Sequence, residues 1–216
     1  MLTRLAEETR AFHPAADGDR LALMARSSAR TYRSCLWQIY CFEQPVEAAL
    51  ARTPAFDPSL LRTHLKTSRL ANDLQGLGVS IDNVAQPAAA FDDVAQALGW
   101  LYVIHRNTLY HGVLLRQLTM LIPTEIQIAG SYLAAFEGLA DVRMRELGVV
   151  LDRAARRGNI AGRVVAGANE ALQRQRHWYS VRIAAPPEAA ISDVGGEDHD
   201  VRRRRHSYFQ LVNAAR

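Results

Sequence analysis

The stretch Leu98–Ile122, LGWLYVIHRNTLYHGVLLRQLTMLI, is the longest apolar run in the chain. It contains no proline before Pro123 and is long enough for about seven helical turns. Apolar residues fall on every side of its helical projection, a pattern typical of a helix enclosed by other helices. The sequence therefore predicts a buried central helix, extending from Phe91 to Leu121.

A dense polar insert interrupts this helix over residues 105–108, His-Arg-Asn-Thr, and again at Tyr110, His111 and Gly112. Polar groups in a buried helix need hydrogen-bond partners, supplied by other side chains, water or a ligand. Two interpretations follow. The insert is an internally satisfied network, or it lines a pocket.

The segments on either side also show helical periodicity. Pro14 predicts a kink or helix end, and Asp17-Gly18-Asp19 predicts a turn. Strand-like alternation is absent, so the sequence predicts an all-α, single-domain multi-helix bundle of about seven to nine helices. The remaining helices are predicted over residues 3–12, 20–26, 27–51, 59–76, 131–137, 142–157 and 160–181.

The C-terminal part of the chain has a different composition. Residues 184–216 lack periodicity and are rich in proline, glycine and charge, which predicts a mobile tail after a helical domain of residues 1–183. The net charge of +4 comes from Arg202–Arg205, because the rest of the chain balances 22 basic against 22 acidic residues. Without a basic groove carrying interleaved aromatics, no nucleic-acid partner is expected.

The cysteines and the N-terminal sequence indicate the cellular compartment of the protein. Cys35 and Cys41 project about 240° apart on a helix, which disfavours a disulfide and suggests a reducing environment. The N-terminal MLTRLAEETR lacks a hydrophobic signal core. Charged residues within the longest apolar run argue against membrane insertion. A cytoplasmic protein without a membrane partner is predicted.

Several segments together resemble the haem oxygenase family, particularly its bacterial branch. Residues 5–17, LAEETRAFHPAAD, resemble the family's L-x-x-x-T-x-x-x-H-x-x-x-E segment. Residues 70–78, LANDLQGLG, resemble its L-x-x-D-L-x-x-L-G helix end, and residues 99–103, GWLYV, are similar to the opening of its distal helix. The likeness covers roughly residues 2–180, in order and spacing.

The resemblance implies a haem oxygenase-like fold in which haem is both cofactor and substrate. It implies that His13 is the proximal ligand of the iron, that Arg10 pairs with a haem propionate and that Tyr102 lies at the cofactor edge. An active enzyme would take electrons from a donor protein and release biliverdin, iron and carbon monoxide. A phytochrome-type client for the biliverdin is left open.

The distal segment departs from the family pattern. Where the bacterial family reads E-G-S-x-L-G-G after Tyr-Val, this chain has His105, Arg106, Asn107, Tyr110 and His111 among the corresponding positions. Glycines permit close approach of a helix backbone to a ligand, whereas these side chains project into that space. The resemblance places Asn107 and His111 at the catalytic distal positions and Arg106 and Tyr110 against the cofactor.

Three hypotheses remain open from the sequence. The first is a haem-degrading oxygenase with an altered distal pocket. The second is a haem-binding protein without oxygenase activity, in which His105 or His111 supplies a second iron ligand. The third is a haem-free scaffold of the same fold that binds another molecule.

Overall fold

The structure is a computed structural model, and it describes residues 1–25, 28–81, 91–156, 158–181 and 185–187. Within these residues it contains ten α-helices and two short 3₁₀ helices, which confirms the predicted all-α, multi-helix architecture. The predicted tail at 184–216 lies outside the described residues, apart from 185–187. The α-helices are α1 (Leu2–Glu8), α2 (His13–Ala25), α3 (Ala29–Arg52), α4 (Pro58–His64), α5 (Thr67–Gly76), α6 (Val94–Arg106), α7 (His111–Leu121), α8 (Pro123–Ala129), α9 (Ala140–Ala155) and α10 (Ile160–Ser180).

The most extensive helix pairing joins α6 to α10. At their crossing, a Cβ on Gly99 would lie 2.3 Å from the Val164 carbonyl oxygen and 2.5 Å from the Ala168 nitrogen. A Cβ on Gly167 would lie 2.6 Å from the Gln96 carbonyl oxygen. Two glycines therefore let the backbones of α6 and α10 touch.

The buried apolar side chains form two hydrophobic cores. The first surrounds α6 and α10 and includes Leu101, Ile104 and Leu172. The second packs α3, α5 and α7 with residues 129–133 and includes Ile39, Leu74 and Leu114. Helix α3 contributes side chains to both cores and therefore ties them together.

The predicted central helix is broken in its middle. It begins at Val94, capped by the Asp93 carboxylate, and ends as α6 at Arg106. A 3₁₀ helix, Asn107–Tyr110, follows, and α7 starts at His111. The Thr108 hydroxyl donates to the His105 carbonyl at 2.7 Å, which is one way that threonine competes with regular helical hydrogen bonding.

The predicted helix over 59–76 is also wrong as a single element. It divides into α4 and α5 at Leu65 and Lys66 because a side chain from α3 caps the second half. The Glu47 carboxylate accepts from the backbone nitrogens of Lys66 at 2.9 Å and Thr67 at 3.2 Å. Such long-range capping leaves no local sequence signal.

The N-terminal predictions need two corrections. Helix α1 ends at Glu8, and a 3₁₀ helix, Arg10–Phe12, joins it to α2. Pro14 lies in the first turn of α2, where its missing N–H costs no hydrogen bond. Asp17-Gly18-Asp19 is therefore part of helix α2 and not a turn.

The helix predicted over 131–137 is replaced by successive turns at 131–139. The Asp73 carboxylate accepts from the Ser131 nitrogen at 3.1 Å and the Tyr132 nitrogen at 2.8 Å, which holds the chain outside helical geometry. Phe136 adopts a left-handed φ of 63°. Helix α8 was not predicted.

Several other boundaries match their predictions closely. Helix α3 begins after Ser28, which forms a capping box with Thr31, and Pro45 lies inside the helix. Residues 26 and 27, just before this cap, and residues 82–90 lie outside the described residues. Helices α9 and α10 lie within two residues of the predicted limits, and Cys35 and Cys41 are both free thiols.

Among the helices that the structure describes, none combines the length and the apolar character needed to cross a lipid bilayer.

Gly99→Ala is expected to destabilise the protein by about 3 kcal/mol or more, because the added methyl group meets backbone atoms that cannot move independently. Gly18 in α2 has open space around its Cβ position, so Gly18→Ala is expected to stabilise the protein by up to about 1 kcal/mol. Urea unfolding of both variants measures the contrast. Equal tolerance of the two substitutions would contradict the close crossing.

Candidate functional site

The predicted site residues separate into two groups in the structure. His13, Tyr102, Arg106 and Tyr110 gather where α2 faces the C-terminal part of α6. His111 and Asn107 are buried against other partners. Arg10 is exposed in the 3₁₀ helix before α2, and its charge reaches His13.

Asp17 and Arg106 join α2 directly to α6. One terminal guanidinium nitrogen of Arg106 donates to Oδ2 of Asp17 at 3.0 Å, and the other lies 2.6 Å from Oδ1. The Tyr110 hydroxyl interacts with the same carboxylate. Burial opposes ionisation of Asp17, but Arg106 and Tyr110 together lower its pKa below the ordinary value. The Asp17 carboxylate is therefore ionised at neutral pH.

His13, the predicted iron ligand, uses its Nε2 atom within the protein. This nitrogen lies 2.8 Å from the Thr9 hydroxyl, which itself donates to the Leu5 carbonyl at 2.7 Å. Because the hydroxyl hydrogen is used at Leu5, the geometry favours the His13 tautomer protonated at Nε2. Burial lowers the pKa of His13, with further lowering by the positive charge of Arg106.

Tyr102 and Asn107 are both buried in protein contacts. The Tyr102 phenol lies beside Thr9 and Arg106, and burial raises its pKa. Asn107 exchanges two hydrogen bonds with Gln175 of α10, at 2.8 and 3.3 Å. The Asn107 amide, which the resemblance places at a catalytic distal position, is thus committed to a neighbouring helix.

His111 lies in a different environment, 4.7 Å between ring centroids from Tyr132. Neither ring nitrogen makes a hydrogen bond of good geometry within the described part of the chain, although the Tyr132 backbone lies near enough to favour protonation slightly. Burial, with Lys66 and Arg20 nearby, lowers the pKa of His111 well below its ordinary value. His111 is a neutral core side chain.

His105 pairs with a histidine that the sequence did not single out. Its Nδ1 lies 3.1 Å from Nδ1 of His64, and its Nε2 lies 3.2 Å from the Ala140 carbonyl. Burial lowers the pKa of His105 to about 3 and that of His64 to about 4. One ring must donate and the other accept, so the pair joins α4 to α6 only while at least one ring is neutral.

A buried ionic cluster lies next to these histidines. Glu43 of α3 receives the Arg20 guanidinium, the Tyr132 hydroxyl at 3.0 Å and the Lys66 ammonium at 3.0 Å. Burial alone would raise the pKa of Glu43, but Lys66 and Arg20 lower it. Lys66 also donates to the Ile104 carbonyl at 3.3 Å, so the cluster joins five separate segments.

The contacts between α2 and α6 determine whether haem could bind between these two helices. A macrocycle between α2 and α6 would have to separate Asp17 from Arg106, displace Tyr110 and release His13 from Thr9. Gly99, in the segment that resembles the opening of the distal helix, meets α10. The residues in this arrangement do not fit a haem group.

An open groove of about 740 Å³ lies elsewhere, between α3, residues 91–100 and α10. Its aromatic side chains pack closely, with ring centroids 6.3 Å apart for Phe42 and Trp100 and 5.4 Å apart for Phe91 and Trp100. Glu170 of α10 accepts from Gln96 at 2.8 Å and from the Arg174 Nε at 3.0 Å. The groove is suited in size and chemistry to a small amphipathic ligand.

Comparison with known proteins provides no assignment: the chain matches no family model, and no curated protein matches it. In the part of the chain that the structure describes, no three His, Cys, Asp or Glu side chains are grouped so that they could hold a metal ion.

Sequence reasoning missed the groove and the ionic cluster. Asp17 was assigned to a turn, and Lys66 to the middle of a helix. One local signal for the cluster did exist, because Glu43 and Glu47 lie one turn apart on the apolar face that carries Phe42 and Val46. The groove left no such signal, since its walls come from three distant segments.

Glu43→Gln is expected to destabilise the protein by about 3–5 kcal/mol, because it leaves Arg20 and Lys66 buried without a compensating charge. Urea unfolding measures the loss. The matched control is Glu146→Gln, which removes an exposed carboxylate paired with Arg143 and should cost less than about 1 kcal/mol. A loss in Glu43→Gln as small as in the control would show that the cluster contributes little.

Acid is expected to destabilise the protein through His64 and His105. In the folded protein the pKa values of both histidines lie below the value near 6.5 that they have in the unfolded chain. At pH values between the folded and unfolded pKa, the unfolded chain therefore binds more protons than the folded protein. Stability is therefore complete above about pH 6.5 and falls as the pH drops toward about 4, by up to about 1.4 kcal/mol per pH unit for each histidine.

Urea unfolding of the wild type and His64→Asn at several pH values tests this dependence. The asparagine offers a polar atom near the position of Nδ1 but does not titrate, so the variant should lose stability less steeply with acid. His177→Asn, which removes an exposed histidine on α10, should retain the wild-type slope. An unchanged slope in His64→Asn would rule out the histidine pair as the cause.

Proposed function

We propose that this chain is a non-catalytic binding protein on a haem oxygenase-like helical scaffold, in which haem is excluded and a ligand is taken in the groove between α3, α6 and α10. Among the three hypotheses from the sequence, this is the haem-free one. The observation that carries it is the direct contact of Asp17 with Arg106, which occupies the space between α2 and α6.

The state of the individual residues supports the same proposal. His13 is held by Thr9, and Asn107 by Gln175. His111 packs against Tyr132 among the residues around Lys66 and Arg20, whereas the charges that act on His13 are those of Arg106, Asp17 and Arg10. Two histidines in such different surroundings do not form an axial ligand pair. No oxygenase step is therefore proposed for these residues.

Haem titration of the purified protein tests the proposal. The wild type and His13→Ala are expected to give the same spectrum as haem without protein, because Thr9 engages Nε2 of His13 and the contact of Asp17 with Arg106 occupies the space between α2 and α6. Stoichiometric binding with a shifted Soret band that is lost in His13→Ala would contradict the proposal. It would place the iron where the resemblance to the haem oxygenase family implies.

A double variant tests whether the side chains of Arg106 and Tyr110 exclude haem from the space between α2 and α6. Arg106→Ala combined with Tyr110→Ala removes both groups that contact Asp17, and a measurable gain in haem affinity is expected. The control is Arg145→Ala, which removes an exposed arginine on α9 and should leave haem affinity unchanged. No gain in the double variant would show that the backbone arrangement, and not these side chains, keeps haem out.

A further inference from the structure

The groove presents aromatic surface, and the indole donors of its two tryptophans are used within the protein. Phe42, Phe91, Trp100 and Trp178 all line it. The Trp178 indole N–H donates to the Gln38 carbonyl at 3.0 Å, and that of Trp100 points to Glu170 at 3.4 Å. Because both indole donors are committed to protein acceptors, the half-buried Phe91 and Trp178 offer a ligand π surface and apolar contact, whereas Phe42 and Trp100 are mostly buried.

The charges at the groove are predominantly negative. Asp92 and Glu170 contribute two carboxylates, and Arg174 contributes one guanidinium. Glu170 is already engaged by Arg174, Gln96 and Trp100. The Asp92 carboxylate is exposed and has no partner within the described residues, since the hydrogen bond of Asp92 to Gln96 uses its backbone nitrogen.

Cys41 also lines the groove, and it adds no charge. Burial raises the pKa of its thiol to about 11, so the group stays protonated at neutral pH. A protonated thiol is a poor nucleophile and behaves as a small apolar surface. The groove therefore combines an aromatic floor, an unpaired carboxylate at its edge and no reactive group of its own among these side chains.

We infer that the groove binds a small organic cation with an apolar or aromatic body, such as a quaternary ammonium compound. A cation near a tryptophan or phenylalanine face is attracted by the negative face of the ring. The Asp92 carboxylate adds a favourable charge, and the volume of about 740 Å³ lies in the usual range for small-molecule sites. The inference rests on the proposed function, since it names the ligand class for that groove.

The test compares three ligands of nearly the same shape. Benzyltrimethylammonium carries a positive charge, neopentylbenzene is its neutral isostere, and phenylmethanesulfonate carries a negative charge. Binding is followed by tryptophan fluorescence, because Trp100 and Trp178 line the groove, and by calorimetry at low ionic strength. The cation is expected to bind about tenfold more tightly than either of the other two ligands.

Two variants locate the site. Asp92→Asn should weaken cation binding about threefold and leave the neutral isostere unaffected, and Phe91→Leu should weaken cation binding by a similar factor. The matched control, Asp141→Asn, removes an exposed carboxylate at the start of α9, outside the groove lining, and should change nothing.

The outcomes distinguish the preference for a cation from the binding of any ligand in the groove. If the neutral isostere or the sulfonate binds as tightly as the cation, the charge preference is overturned, while the groove remains a binding site. If Asp92→Asn and Asp141→Asn behave alike, the assignment to this groove fails. If none of the three ligands binds at millimolar concentration, both this inference and the role of the groove in the proposed function fail.

Discussion

The close crossing of α6 and α10 is the constraint on which the other features depend. Gly99 and Gly167 bring two helix backbones into contact, and no larger residue fits at either position without moving a backbone segment. Once α10 is held at this distance, Gln175 reaches Asn107 and Glu170 reaches Gln96. The same crossing places Trp100 and Trp178 on one groove. A packing constraint thus also determines where a ligand can bind.

The buried charges impose a second constraint, of a different physical kind. Arg20, Glu43 and Lys66 are almost completely buried, so each depends on the others for compensation. Separating these buried charges costs much free energy, although the cluster as a whole need not stabilise the fold. Their positions on α2, α3 and the start of α5 mean that these three segments must dock together. We therefore interpret the cluster as a determinant of arrangement and not as a reactive site.

These constraints together account for the state of the residues that resemble a haem site. Arg106 pairs with Asp17, and His13 with Thr9, so polar groups that suggested a cofactor satisfy one another. The polar insert in the apolar helix had two interpretations, a satisfied network or a pocket. In the structure nearly all of it is a satisfied network, with His111 as the member that lacks good hydrogen bonds. The open groove lies on the other side of α6, where the sequence shows no polar insert.

Local patterns in the sequence determined the helical class, the limits of α3, α9 and α10 to within two residues and the burial of Leu98–Ile104, because periodicity acts over a few residues. Only the tertiary structure decided the breaks at Lys66 and at 131–139, since the carboxylates of Glu47 and Asp73 that hold them come from other helices. The same holds for the candidate sites. The sequence singled out His13 and Arg106, but whether they face a ligand or a neighbouring side chain depends on how α2 meets α6. The contact between α2 and α6 depends on packing between residues far apart in the chain, and no local sequence pattern predicts it.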